Sequence, residues 1–260
     1  MLNSVLGKTL FEKRWMIFWW FLASFIGSLM LVQLFPTMQE MFATDIMNDI
    51  PPALQDTIDM EALQTIEGYV ASQIFGQMSL VVVIFAIVFG VAAITGEEKF
   101  GTLLTQLARP IKRHHFFLQK FAALLISTSV IVAGCIAGTF LGSVIISETI
   151  SLSYLWQPLV ATALFATTFG AISMMFGGLG IKGGGLITGF YAVVGFALVS
   201  IGMMNDAVEP LTYVTPFGFY DPQTLITSGL EFSSTLWLIS FIVIPTLIGV
   251  IIFTKRDLHT

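Results

Sequence analysis

The sequence predicts an all-α integral membrane protein with six transmembrane helices, and three observations carry that prediction. Hydrophobic residues fill 56% of its 260 positions and charged residues only 10%, whereas a soluble domain carries about 25% charged residues. Mean hydropathy is +0.89, and six apolar runs approach the roughly 20 residues that a helix needs to cross a bilayer. They lie at about 15–35, 74–95, 121–147, 156–180, 184–204 and 235–254. The third observation is the distribution of charge. With the amino terminus taken as cytoplasmic, Lys8, Lys13, Arg14, Lys99, Arg109, Lys112, Arg113, Lys120, Lys182, Lys255 and Arg256 all fall on the inner side, and these are all the Lys and Arg of the chain. The outer side carries carboxylates only. The positive-inside rule then places both termini in the cytoplasm. The single Cys135 lies in an apolar run, so no disulfide framework is predicted.

Within one transmembrane domain spanning 1–260, the elements follow in order. Residues 1–14 place Leu2, Val5, Leu6 and Leu10 at near-helical spacing, with Lys8 and Glu12 four apart. That reads as an amphipathic helix on the inner interface, or as a plain basic anchor. The first run is too long for a signal-peptide core and lacks a convincing small-residue cleavage site, so it reads as a retained span. Trp15, Trp19 and Trp20 mark its interfacial start. Residues 36–73 form an external acidic segment, with Ile46, Ile50, Leu54, Ile58, Leu63 and Ile66 at helical intervals and Pro51-Pro52 as a break. A structural cap explains it better than a lid. The third run carries Gly134, Gly138 and Gly142, and the fifth repeats the spacing with Gly185 and Gly189. Small residues four apart let helices approach closely in lipid, within the chain or at a dimer seam. Residues 205–234 hold Pro210, Pro216 and Pro222 among Tyr213, Phe217, Phe219, Tyr220 and the acid Asp221. Short interfacial or re-entrant helices are expected here, with the aromatic rings at headgroup depth.

Several tempting sites fail on context. "GGLGIKG" has Gly178, Gly180 and Gly183 in G-x-G-x-x-G spacing, but it joins two spans instead of a strand and a helix, so it reads as a tight turn. His114 and His115 are adjacent and diverge on a helix, and His259 is the only other histidine, so no metal set forms. Glu97-Glu98 lacks the arginine of the E-E-x-x-x-R pair used by CAAX-processing proteases, since Thr102 stands there. No ionisable residue falls inside the six runs as drawn, which argues against a proton-coupled pump. No G-x-x-x-x-G-K-[ST] loop is present to bind ATP.

The charge of the chain concentrates at residues 95–115, "TGEEKFGTLLTQLARPIKRHH". Phe100, Leu103, Leu104 and Leu107 share one helical face, Glu97 and Glu98 lie at its amino end, and Pro110 should stop it. The prediction is a short amphipathic helix on the inner membrane surface, within a cytoplasmic loop at 96–120.

"EEKFGTLLTQLARPIKR" resembles the E-E-x-x-G-T-L…L-x-x-P-[IV]-x-R signature of the permeases of type-2 ABC (ABC-2) transporters. Glu97, Glu98, Gly101, Thr102, Leu103, Leu107, Pro110 and Arg113 match by position, with Phe100 on the same face, and "TPFGFYDP" resembles the family's segment before the last span. The resemblance implies a coupling helix that docks on a cytoplasmic ABC ATPase subunit, which would hold the ATP and Mg; this chain would bind no cofactor and catalyse nothing. It implies an external gate at Pro216, Phe217, Tyr220, Asp221 and Pro222, and a dimer with a second copy or a paralogue in a prokaryotic inner membrane. It implies export of a hydrophobic or amphipathic substrate through the dimer. No nucleic-acid partner is expected. Two other classes stay open: a permease-like anchor that transmits ATPase motion to an assembly, motility or maturation machine without a transported solute, and a channel or intramembrane enzyme acting alone.

Overall fold

Ser4 starts the first helix, because its hydroxyl accepts the Gly7 N–H and satisfies a donor that the first turn leaves open. Helix α1 runs Val5–Glu12 and α2 Arg14–Gln33. The computed structural model describes residues 4–43, 63–99, 112–148, 150, 152–203, 205 and 207–256. Pro36 cannot donate to the helical ladder, so the path breaks at Leu34 and resumes as α3, Phe35–Ala43. Thr65 caps α4 (Ile66–Val70), which passes without a break into a π-helical segment, Ala71–Met78, and then into α5, Ser79–Lys99. Helices α6 (Arg113–Ile145), α7 (Leu152–Leu179) and α8 (Gly184–Gly202) follow. Three short pieces come next: α9 (Glu209–Thr212), a 3-10 turn (Pro216–Phe219) and α10 (Pro222–Thr227). The long α11, Phe232–Lys255, closes the described chain.

Six of these stretches are long and apolar enough to cross a membrane: Arg14–Met41, Ile66–Lys99, Arg113–Ile145, Leu155–Leu179, Gly184–Gly202 and Phe232–Lys255. No strand occurs among the described residues. Helix α7 is central, packed between α5 and α11 and touching α6 and α8, while α6 packs along α2. The core is aromatic: Phe85, Phe89, Phe165 and Phe169 are fully buried, and side chains of that size dominate the energetics of a packed interior. Helices α2 and α8 leave most of their apolar surface uncovered.

The turn from α7 to α8 explains "GGLGIKG". Gly180 has φ +77°, its N–H donates to Gly177 O and the Ile181 N–H to Phe176 O, which is a Schellman ending that a β-carbon would strain. Gly183, at φ +97°, then opens α8. Gly178 lies against the Phe117 ring and the Gly249 backbone.

The helices outrun the apolar runs, and this corrects the sequence reading in three places. First, residues 36–41 and 66–73 lie in the same membrane-length helical stretches as the first and second runs, so the segment between these spans is shorter than the predicted 36–73. Its Pro51-Pro52 break lies outside the described residues. Second, α6 begins at Arg113, so Lys120 stands inside a long helix with only 2% of its surface exposed. A composition window that stops at the first charge excludes it, yet a charge tolerates burial when an opposite charge pairs with it. The spans therefore do contain ionisable groups. Third, α5 continues to Lys99, so Glu97 and Glu98 end one helix instead of opening the next.

Candidate functional site

Adjacent carboxylates at the end of a helix point about 100° apart, so Glu97 and Glu98 must find different partners. They also sit where the helix dipole is negative and disfavours them. Two cations answer. The Lys120 ammonium, from α6, donates to Glu97 Oε1, and both groups are buried. Arg256, at the end of α11, places Nη1 2.7 Å from Glu98 Oε1. Arg113, the first residue of α6, donates to the Arg256 carbonyl oxygen at 2.6 Å. The three links tie the end of α5, the start of α6 and the end of α11 into a closed triangle.

Aromatic packing stiffens this end of the bundle. The Lys120 ammonium lies 5.4 Å from the Phe116 ring centroid, and Phe116 and Phe117 both pack on Phe253 of α11. Gly180 belongs to the same cluster, because a β-carbon there would collide with the Arg256 guanidinium. Helix α1 joins it through Gln119, whose Oε1 accepts the Leu6 N–H at 3.2 Å. The His114 and His115 rings touch, with centroids 4.5 Å apart, instead of diverging. Among the described residues no three His, Cys, Asp or Glu side chains gather where they could hold a metal ion.

Of the predicted coupling residues, Glu97, Glu98 and Arg113 come together here. Phe100, Gly101, Thr102, Leu103, Leu107 and Pro110 lie outside the described residues. Sequence reasoning missed Lys120 and Arg256, which it only counted among the inner-side cations. The signal was the Glu97-Glu98 doublet itself, since two carboxylates closing an apolar helix require two cations from elsewhere in the fold.

At the opposite end, the proline-rich stretch before α11 docks on the bundle. Pro216 and Pro222 sit in the first turns of the 3-10 segment and α10, where a missing N–H costs nothing. Asp221 caps α10 through Gln223 N, at 3.0 Å. Phe217 and Tyr220 are buried in the core: Tyr220 stacks on Phe165 with centroids 4.2 Å apart, and Phe217 meets Phe165 edge-on at 4.9 Å. The Tyr220 hydroxyl donates to Phe75 O at 2.8 Å and lies 2.7 Å from Thr162 Oγ1. Burial pushes its phenol above the usual tyrosine range. Phe75 belongs to the π-helical segment, a departure from α-geometry that often accompanies a functional site.

Between the π segment, α8 and the docked stretch lies a cavity of about 590 Å³. Its wall combines apolar groups such as Leu80, Phe196 and Met203 with Gln77, Glu209 and Asp221, the mixture by which a pocket binds an apolar body and orients a polar end.

The glycines of the third run pack within the chain. A β-carbon at Gly138 would run into the Phe25 carbonyl of α2, and those at Gly134 and Gly142 would meet Phe21 and Val32. The facing stripe on α2 is small too, with Ser24 and Ser28 fully buried. Gly185 rests on Val91, while Gly189 faces open space.

The profile of a family described as ABC-2 family transporter protein matches residues 16–258. No curated protein matches the chain.

Proposed function

The chain belongs to the ABC-2 family of transporter proteins and is a transporter membrane subunit, and from that premise we propose that it exports an amphipathic substrate using ATP hydrolysed by a separate subunit. In this reading the end bearing Lys120, Arg113 and Arg256 faces the cytoplasm, as the charge asymmetry requires. The predicted coupling loop at 96–120 would dock on an ABC ATPase, with Phe100, Gly101, Thr102, Leu103, Leu107 and Pro110 among the residues that recognise it. ATP and Mg stay in that partner. A second copy or a paralogue completes the translocation path in a prokaryotic inner membrane.

The observation that carries the proposal is the ion-pair triangle. Glu97 and Glu98 precede the stretch that holds those docking residues, Arg113 follows it, and both flanks are fastened to α6 and α11. A push on the stretch therefore enters three helices together instead of bending one loop. The cavity of about 590 Å³ at the other end supports an amphiphile as cargo, because its wall joins apolar groups such as Leu80, Val199 and Met203 to polar side chains such as Gln77, Glu209 and Asp221. Tyr220 links that cavity to the second span at Phe75, so movement of α5 would reach the gate formed by Pro216, Phe217, Tyr220, Asp221 and Pro222.

The test is co-purification. Leu107→Asp, which puts a charge on the docking face, and Glu98→Lys, which breaks the triangle, should each release the ATPase while the spans stay folded by circular dichroism. Retention of the ATPase by both variants at wild-type stoichiometry would contradict the assignment.

A further inference from the structure

A second cavity, of about 370 Å³, opens between the 3-10 turn, α10 and the start of α11. It shares Tyr213, Tyr220 and Asp221 with the larger one and adds Phe219, Trp237 and Glu231. Tyr213, Phe219 and Trp237 line it together with the carboxylates of Asp221 and Glu231. Phe219 is the centre of the aromatic wall: it stacks on Trp237 with centroids 5.3 Å apart and meets Tyr213 at 5.6 Å. The carboxylates are held in place, not trailing. Asp221 accepts Gln223 N at 3.0 Å and the Thr224 hydroxyl at 2.5 Å, and Glu231 Oε2 accepts the Ser234 hydroxyl at 2.8 Å. Each carboxylate has about four lone-pair sites, so capacity to accept remains.

Among the described residues no Lys, Arg or His lines this cavity. The cation–ring contacts among the described residues, Arg14 on Phe11 and Lys120 on Phe116, both belong to the other end of the molecule. The cavity therefore combines the carboxylates of Asp221 and Glu231 with four aromatic rings, Tyr220 among them, and no lining cation among the described residues. Ring faces attract cations through their quadrupole, most strongly when the cation is large and weakly hydrated. A hard ion such as calcium or magnesium fits less well, since it takes six or more oxygen ligands, and among the described residues no three His, Cys, Asp or Glu side chains gather to hold a metal.

We infer that this cavity binds an organic ammonium ion, with its alkyl groups against Phe219 and Trp237 and its charge balanced by Asp221 and Glu231. The inference does not depend on transport, and equilibrium binding to the purified full chain tests it. The probe is choline, measured by titration calorimetry in an uncharged maltoside detergent. The comparison ligand is 3,3-dimethylbutan-1-ol, which has the same shape with carbon in place of the charged nitrogen.

Choline should bind at least about tenfold more tightly than the alcohol, the scale of a desolvated cation–ring contact. Trp237→Leu and Glu231→Gln should each reduce choline binding severalfold, and Trp237→Phe should restore part of it. Glu231→Gln keeps an acceptor for Ser234, and Trp237 is half exposed, so neither substitution threatens the fold. Adding phosphatidylcholine or phosphatidylethanolamine distinguishes the sources of the head group. Competition by these lipids, and not by phosphatidylglycerol, assigns the site to a lipid ammonium; absence of competition assigns it to a free one. Equal binding of choline and the alcohol, or binding unchanged in both variants, would overturn the inference.

Discussion

At the scale of single residues, the decisive contact is the Lys120–Glu97 pair. Taking two charges out of water costs several kcal/mol each, and their attraction offsets that cost only while both are present. Removing one partner is therefore worse than removing both. Lys120→Met should destabilise the bundle by about 3 kcal/mol, because it strands a buried carboxylate. Lys120→Met combined with Glu97→Gln should recover most of the loss. Thermal unfolding in detergent, followed by intrinsic fluorescence, measures the difference; a double variant no more stable than the single one would show that the pair is incidental. Tyr220 makes the complementary case. Tyr220→Phe keeps the stack on Phe165 but leaves the buried Phe75 carbonyl without that donor, at a cost of about 1 kcal/mol. Hydrogen exchange should then rise over Ala71–Met78 more than over the rest of the second span. The folded phenol holds its proton more tightly than the unfolded one, so the stability it contributes is complete below about pH 10 and is lost only above it. Stability attributable to Tyr220 should thus be flat from neutral pH to about pH 9.

At the scale of elements, the glycine spacing in α6 was legible and its partner was not. Gly134, Gly138 and Gly142 announce close helix packing, but one chain of letters does not say against what. The structure answers with α2, whose Ser24 and Ser28 supply the matching small stripe. A matched pair of substitutions tests the difference. Gly138→Leu should prevent accumulation of folded protein, since α2 has no room to retreat from its backbone contact. Gly189→Leu should be tolerated, because its β-carbon meets nothing within the chain. Folded yields by fluorescence size exclusion compare them directly. Element boundaries were harder to read. Hydropathy marks where a helix is apolar, whereas α5 reaches Lys99 and α6 begins at Arg113, so each runs several residues into charged sequence. That gap hid Lys120 and misplaced Glu97-Glu98. The π segment had no signal at all in the sequence. Its geometry depends on tertiary contacts, among them the Tyr220 hydroxyl on the Phe75 carbonyl.

At the scale of the whole molecule, the composition, the one-sided charge and the six apolar runs suffice for an all-helical membrane protein, because bilayer thickness sets helix length so strictly. The candidate site was only partly legible. The resemblance to the permease signature singled out Glu97, Glu98 and Arg113, and the resemblance of the segment before the last span singled out Phe217 and Tyr220. The cations that complete the triangle, Lys120 and Arg256, come from distant points of the chain, 23 and 158 residues away from their carboxylates. Only the fold brings them together. Seen whole, the described residues have one end braced through Glu97, Glu98, Arg113, Lys120 and Arg256 and an opposite end with two cavities, joined by the second span. In the proposed function such an architecture passes on a push that an ATPase subunit supplies.

The claim that the push comes from another chain is therefore the one to test first. The tagged protein would be isolated from its native membrane in mild detergent, and the intact mass and composition of the complex determined. The account predicts an ABC ATPase at one copy per permease chain and two permease chains per particle. Recovery of this chain without any ATPase, across several detergents that leave it folded, would contradict it.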